Sequence, residues 1–172
     1  MTPDMPSNTT TGETTTGRAH RIALTGMLVL VLAAFGVHWL RGHIRLAWNE
    51  TESLPQSVFL VQLGVVPGKG DYVLFDPPQA VKSRYPFVKR VTGLPGDAIR
   101  VEGRAVWVDG RPVGVAKTIS RHGKPLHPIA PGVIPPGFIF VHANHRDSYD
   151  SRYQSIGLVP DARVIGRAVP LF

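Results

Sequence analysis

The stretch FVKRVTGLPGD, residues 87–97, places a lysine within an apolar strand pattern and ends in a turn. With the strand period of two, Phe87, Lys89 and Val91 lie on one face, while Arg90 lies on the other. The following segment, Gly93-Leu94-Pro95-Gly96-Asp97, is typical of a turn. The pattern therefore predicts a β-strand over 87–92 that holds Lys89 between apolar neighbours.

Short apolar runs separated by Gly/Pro turns continue on both sides of this stretch. Asp109-Gly110 indicates a two-residue hairpin turn, and the proline- and histidine-rich residues 117–136 indicate a long connection. The runs predict strands over residues 58–63, 72–75, 87–92, 99–101, 105–108, 138–141 and 163–169. The predicted fold class is mainly β, an antiparallel domain of coiled sheets or a partly open barrel.

An apolar run at residues 22–40 precedes these strands. As a helix it would span about 28 Å, enough to cross a bilayer, and Trp39 and Trp48 lie where interfacial aromatic residues are common. We therefore expect a flexible tail over 1–21, a transmembrane anchor over 22–40 and a β-rich domain over 41–172. A cleavable signal peptide is the alternative, because Ala33-Ala34 offers small residues for cleavage.

The apolar residues Val58, Phe59 and Leu60 allow two interpretations. They follow the membrane run closely in sequence, so they could dip into the bilayer interface beside the anchor. They could equally form a core strand, since the same apolar area contributes to folding when it is buried.

Composition narrows the classes of partner. The net charge is +7 and the isoelectric point is near 10.2, but the basic residues are scattered and form no recognition helix or RNA-binding signature, so we predict no nucleic-acid partner. The excess charge would instead attract anionic headgroups or acidic substrate segments. The absence of cysteine excludes disulfides, a thiol nucleophile and a cysteine zinc site.

Ser53, within Glu52-Ser53-Leu54-Pro55, is the candidate nucleophile that Lys89 would activate. A serine hydroxyl needs a base, and a lysine amine can be that base only when it is neutral. Keeping lysine neutral near pH 7 requires about 4.6 kcal/mol, which burial can supply. For either segment alone, a turn serine or a solvated Lys-Arg pair is the alternative.

The histidines suggest two rival sites. His142 and His145 could form a Ser/His/Asp triad with Ser53 and Asp147, or a metal site with His122 and His127. Neither set has diagnostic spacing, and the sequence contains no H-E-x-x-H helix and no G-x-S-x-G elbow. We therefore expect solvated loop histidines, with no metal and no cofactor.

Three motifs together resemble those of the type I signal peptidases, and most closely the TraF-type conjugative transfer signal peptidases. They are NETESLP at 49–55, Lys89-Arg90 followed by the 93–97 turn, and SYDSRY at 148–153, in the family's order and approximate spacing. The single residue Leu54 between Ser53 and Pro55 is the TraF-like form. Two positions depart from the pattern, because Ser57 replaces a usual glycine and Phe59 replaces a usual tyrosine.

The resemblance implies a signal-peptidase-like fold and a role for each of several side chains. These are Ser53 as nucleophile, Lys89 as general base, Thr51 as an oxyanion donor beside the Ser53 backbone N–H, Ser148 as a hydrogen-bond partner of the Lys89 amine, and Arg90, Asp150 and Arg152 as a structural ion pair. In this arrangement Ser148 would aim the amine lone pair at Ser53. The ion pair would hold the lysine strand against the third motif.

The resemblance also implies a function and a location. It implies a single-pass protein of the bacterial inner membrane with a periplasmic catalytic domain, although the arginines flanking the apolar run give no orientation by themselves. The implied substrate is a conjugative pilin precursor, conjugation-apparatus proteins are implied partners, and some members release a cyclic product. The alternatives are a general leader peptidase and a non-catalytic anchored component of a secretion or conjugation channel, which leaves Ser53, Lys89 and Ser148 without a role.

Overall fold

The computed structural model describes residues 15–49 and 53–172, and the chain divides into an N-terminal unit and a β unit that begins at Gly42. Helix α1 spans Thr15–His43. Within it, His20–His43 is long and apolar enough to cross a membrane. Its large apolar side chains, such as Leu30 and Phe35, are exposed, which fits a transmembrane segment.

The predicted anchor at 22–40 lies inside α1. The helix begins at Thr15, so residues 15–21 are helical instead of forming part of the predicted flexible tail. Arg21 can remain helical because a straight-chain side chain loses little rotamer freedom in a helix. Residues 1–14 lie outside the described part of the chain.

The β unit consists of antiparallel strands arranged in two sheets. The strands are β1 Ile44–Trp48, β2 Val58–Leu63, β3 Tyr72–Phe75, β4 Phe87–Gly93, β5 Ala98–Glu102, β6 Ala105–Val108, β7 Arg111–Val115, β8 Gly132–Val133, β9 Phe138–His142, β10 Val159–Pro160 and β11 Val164–Pro170. The seven-stranded sheet has the order β1-β2-β11-β3-β4-β9-β10, and the four-stranded sheet has the order β7-β6-β5-β8. Short 3-10 turns occur at Gln79–Val81 and Asp161–Arg163.

The mainly β, antiparallel fold class is confirmed, and each predicted strand is present with ends within one residue of the prediction. Asp109 and Gly110 have φ angles of 50° and 71° and form the predicted turn between β6 and β7, because paired positive φ values suit a tight hairpin. The strands that the sequence analysis missed are β1, β7, β8 and β10. In β7, Pro112 and Gly114 hide the strand pattern, and both are tolerated because β7 lies at a sheet edge.

The interior of the seven-stranded sheet includes the start of β2. Val58 and Phe59 are buried, and Phe59 packs in one cluster with Val61 of β2, Leu74 of β3 and Val88 of β4. The core-strand interpretation is therefore correct for Val58 and Phe59, and the interpretation that they dip into a bilayer is wrong. Leu60 is half-buried.

The two sheets meet where β4 ends. A Cβ atom on Gly93 would lie 2.6 Å from Ile134 Cδ1 and 2.8 Å from Val108 Cγ1, so the absence of a side chain lets the sheets approach. The predicted turn follows, with Gly96 at a φ of 93° and the Leu94 N–H donating to Asp97 Oδ2 at 2.9 Å. This turn leads β4 directly into β5 and fixes the end of the strand that carries Lys89.

Gly166 should not tolerate a side chain. It pairs with Leu63 of β2 and Leu74 of β3 in the middle of the sheet, and a Cβ atom there would lie 2.1 Å from Gln62 O. We expect Gly166→Ala to lower the free energy of unfolding by about 1–3 kcal/mol, the usual cost of overpacking. Gly68→Ala is the control, since its Cβ would meet only Asp71 Oδ2 at 3.7 Å. Thermal denaturation that gave the same midpoint for both variants would contradict this assignment.

Candidate active site

The structure brings Ser53 and Lys89 together although 36 positions separate them. The Lys89 Nζ donates to Ser53 Oγ at 2.9 Å. Only 8% of Ser53 and 5% of Lys89 remain exposed. A hydroxyl in direct contact with an amine, both withdrawn from water, is an arrangement in which the amine, when neutral, could accept the hydroxyl proton.

The position of β4 explains why Lys89 is buried. The strand pairs with β3 on one side and β9 on the other, and Lys89 lies opposite the fully buried Val73. Its amine also lies 5.8 Å from the centre of the Phe87 ring. Phe87 and Val91 pack in the same cluster as Val73, so the apolar face predicted by the alternation of the strand surrounds the lysine.

The electrostatics of the site make the Lys89 amine easier to deprotonate than an exposed lysine. Burial lowers the pKa of Lys89 from 10.5 to about 8, while the Asp150 carboxylate raises it and the Arg152 guanidinium lowers it further. Desolvation dominates because a buried ammonium loses its water shell, and the opposing effect of Asp150 is smaller and is partly offset by Arg152. Near pH 8 about half of the amines would therefore be able to accept a proton.

The third motif contains a buried ion pair. Arg152 Nε donates to Asp150 Oδ1 at 2.9 Å and Arg152 Nη2 donates to Asp150 Oδ2 at 3.0 Å. Asp150 also accepts the Ala143 N–H at 3.2 Å, and Arg152 Nη2 donates to Ser148 O at 3.1 Å. These contacts hold the loop after β9 in a fixed shape beside Lys89.

Two of the expected site residues differ from the pattern that the resemblance implies. Ser148 is buried, but its hydroxyl has no hydrogen-bond partner among the described residues, so it does not bond to the Lys89 amine. Arg90 does not join the ion pair, because strand alternation points it to solvent, where its Nε donates to Gly70 O at 2.9 Å. Thr51 lies in residues 50–52, outside the described residues.

The histidines do not form a metal site among residues that the structure describes. His142 was expected to be solvated, but it lies in β9 at 5% exposure, and burial lowers its pKa to about 4. The Nε2 atom of His142 has no hydrogen-bond partner among the described residues. His145 Nδ1 accepts the Asp147 N–H at 3.2 Å. Because His142 directly follows the apolar run 138–141, continuing the strand by one residue would have revealed its burial.

A cleft of about 480 Å³ opens beside the Ser53–Lys89 pair. One wall is β1, an edge strand of its sheet, and the others are the segment around Tyr85–Phe87 and the loop 145–149. The cleft can hold an extended chain against the Ser53 hydroxyl.

The sequence analysis missed two contacts at the loop 145–149. Lys117 and Arg121 both donate to Asp147, and these hydrogen bonds lower the pKa of Asp147 to about 2.

The family model described as "Signal peptidase, peptidase S26" matches residues 18–172. The chain belongs to this signal peptidase family. Membership supports a serine peptidase with a leader-peptidase type of function. It also agrees with the N-terminal apolar helix, which is consistent with a membrane-anchored signal peptidase.

Several known proteins are similar to this chain. A conjugal transfer protein TraF from Agrobacterium fabrum (strain C58) is 36% identical to it over 88% of this chain and 94% of the relative. A probable TraF from Sinorhizobium fredii is 29% identical over 84% of this chain and 86% of its own. A signal peptidase I from Leptolyngbya laminosa is 36% identical over 62% of this chain and 53% of the relative. A solved signal peptidase I from Enterococcus faecalis V583 matches with a TM-score of 0.37 and 23% identity, covering 59% of this chain and 96% of that one.

The Asp150–Arg152 pair should be critical for stability. Arg152→Gln leaves a carboxylate with 0% exposure and no guanidinium, so we expect the free energy of unfolding to fall by about 3–5 kcal/mol. The matched control is Arg100→Gln, which breaks the exposed Arg100–Glu102 pair and should change stability little. Chemical denaturation would measure both, and equal effects would show that the buried pair is not special.

Proposed function

We propose that this protein is a single-pass membrane serine endopeptidase that cleaves a leader or precursor peptide, with Ser53 as the nucleophile and Lys89 as the general base. The observation that carries the proposal is the buried contact of 2.9 Å between Lys89 Nζ and Ser53 Oγ. The cleft beside the pair gives a peptide access to the hydroxyl. The lowered pKa of Lys89 supports its role as a base.

The proton transfers of the proposed reaction use only the side chains of Ser53 and Lys89 and water. Neutral Lys89 removes the Ser53 proton while Oγ attacks the scissile carbonyl carbon, and the resulting ammonium gives that proton to the leaving amine as the C–N bond breaks. Water then attacks the acyl-enzyme ester, with Lys89 again accepting a proton. The Oγ–acyl bond breaks, the carboxylate product leaves, and Ser53 recovers its proton. The Ser53 backbone N–H and the Thr51 hydroxyl are the proposed oxyanion donors.

The substrate is proposed to bind as an extended strand. β1 pairs with β2 on one side only, and an edge strand offers unpaired backbone groups to which a peptide can hydrogen-bond. Leu74, Phe87 and Val88 line the cleft beside the reacting pair. Such a strand would carry small residues before the scissile bond, as leader peptide cleavage sites do.

The proposed setting is the periplasmic face of a bacterial inner membrane, with α1 as the anchor. The relative from Agrobacterium fabrum, which bears the name conjugal transfer protein TraF and aligns with 88% of this chain, supports a role in conjugative transfer. A pilin-like precursor is the proposed substrate, and proteins of the conjugation apparatus are proposed partners. Attack on the acyl-enzyme by the substrate's own amine, in place of water, would release a cyclic product.

A general leader peptidase is the second candidate, favoured by the 36% identity to a signal peptidase I over 62% of this chain. Both candidates use the same chemistry. Incubation with a pilin precursor and with an unrelated secretory precursor separates them, because only a general leader peptidase should process both. The anchored, non-catalytic component would process neither.

Removing either member of the pair should abolish cleavage. We expect Ser53→Ala and Lys89→Met to lose nearly all activity, because the two groups act as one unit and the loss of either removes the function of both. Lys124→Met is the matched control. Because Lys124 is exposed, this variant should cleave the precursor at the wild-type rate. Full-length Ser53→Ala protein that cleaves the precursor as fast as the wild type would refute the proposal.

The pH dependence should report Lys89. Below about pH 8 the amine is protonated and cannot act as a base, so kcat/KM should fall about tenfold per pH unit on the acid side and level off above it. EDTA should have no effect. Activity that EDTA abolishes and zinc restores would contradict the serine–lysine mechanism and favour a histidine metal site.

A further inference from the structure

The connection between β1 and β2 carries Ser53, and an asparagine at its start is bonded to the residues that follow the serine. The Asn49 backbone N–H donates to Ser57 O at 2.8 Å. Its side-chain amide Nδ2 donates to Gln56 O at 3.1 Å and to Leu54 O at 3.3 Å. Asn49 also lines the cleft. One residue therefore contacts the backbone at three points downstream of the nucleophile.

These bonds lie just beyond the β1–β2 ladder. The β1–β2 ladder ends at the pair Trp48 and Val58, and the bond from Asn49 N–H to Ser57 O extends it by one step. Beyond that point Pro55 has no backbone N–H to contribute. The Asn49 amide bonds to the carbonyls on both sides of this proline, so the segment next to Ser53 is held by a side chain.

We propose that Asn49 is a positioning residue for the nucleophile, an inference that rests on the function proposed above. Leu54 O, one of its two side-chain acceptors, belongs to the residue directly after Ser53. The Leu54 side chain is buried in the same cluster as Val88, the residue directly before Lys89. Apolar packing thus holds the Leu54 side chain, while the Asn49 amide holds its backbone carbonyl and keeps Ser53 Oγ directed at the amine.

The geometry requires an amide at this position. Two backbone carbonyls need a group that donates two hydrogen bonds and carries no negative charge, and the side-chain NH₂ of asparagine meets both conditions. Leucine has nearly the same branched shape but donates nothing. Because misplacing a reacting group by about 1 Å can cost on the order of 100-fold in rate, the loss of these bonds should appear in the chemical step.

The test compares full-length wild type, Asn49→Leu and Asn49→Ala in detergent micelles, using a fluorogenic peptide with an Ala-x-Ala sequence before the scissile bond. We expect both variants to lose about 10- to 100-fold in kcat while KM changes less than about threefold, because the cleft walls remain. The acid limb of the pH profile should still report a pKa of about 8, since Lys89 keeps its burial.

A stability control separates positioning from general loosening of the fold. Val106→Ala removes buried volume from the cluster under the four-stranded sheet, and it should lower the melting temperature at least as much as Asn49→Leu without lowering kcat. If Asn49→Leu does not fold, Asn49→Ala carries the same comparison, because it adds no bulk.

Two results would overturn the inference. The first is a folded Asn49 variant that keeps the wild-type kcat. The second is a Val106→Ala protein that loses as much melting temperature as the Asn49 variant and shows the same fall in kcat. Failure of the proposed function itself would look different, because wild type and Ser53→Ala would then cleave the peptide equally.

Discussion

The burial of the Lys89 amine against the Ser53 hydroxyl is the constraint on which the rest of the β unit depends. An ammonium is expensive to bury, so the position is tolerable only where the surrounding fold is stable enough to hold it. β4 pairs with strands on both sides, and Val73 faces the lysine from β3. The native state binds fewer protons at Lys89 than the unfolded chain between about pH 8 and 10.5, so its contribution to stability rises with pH across that window. Near neutral pH the buried lysine thus lowers the stability of the protein, a cost that fits the role of base proposed for Lys89.

The Asp150–Arg152 pair shows how a carboxylate can be placed near such a lysine without restoring its charge. Asp150 alone would favour the ammonium form, since an opposite charge nearby raises a lysine pKa. Arg152 acts on Lys89 in the opposite direction and neutralises the carboxylate through two direct hydrogen bonds. The pair can therefore fix the loop after β9 while burial remains the dominant influence on the amine.

Much of this arrangement could be predicted from local patterns, and the failures have physical causes. The alternation of β4 predicts the burial of Lys89, and the same alternation points Arg90 to solvent, against the role that the resemblance implies for it. β1 and β7 were missed because one follows a helix without a break and the other contains Pro112 and Gly114. Contacts such as those of Lys117 and Arg121 with Asp147 join loops distant in sequence, and no local pattern encodes them. The Ser148 hydroxyl, which has no hydrogen-bond partner within 15–49 and 53–172, likewise depends on side-chain placement alone.

Lys89 and Ser53 are held in different ways, and the difference fits the roles proposed for them. A base must be kept from water, which a strand inside a sheet achieves through its neighbours on both sides. A nucleophile must meet a substrate, and Ser53 lies in a connection beside an edge strand, where the cleft reaches it. Within this connection, Pro55 has no backbone N–H to donate to a neighbouring strand. Leu54 and Val88, the neighbours of Ser53 and Lys89 in the sequence, pack into one apolar cluster. This packing acts together with the Asn49 hydrogen bonds on the segment that carries Ser53, and apolar contact does not change with pH as the lysine gains and loses its proton.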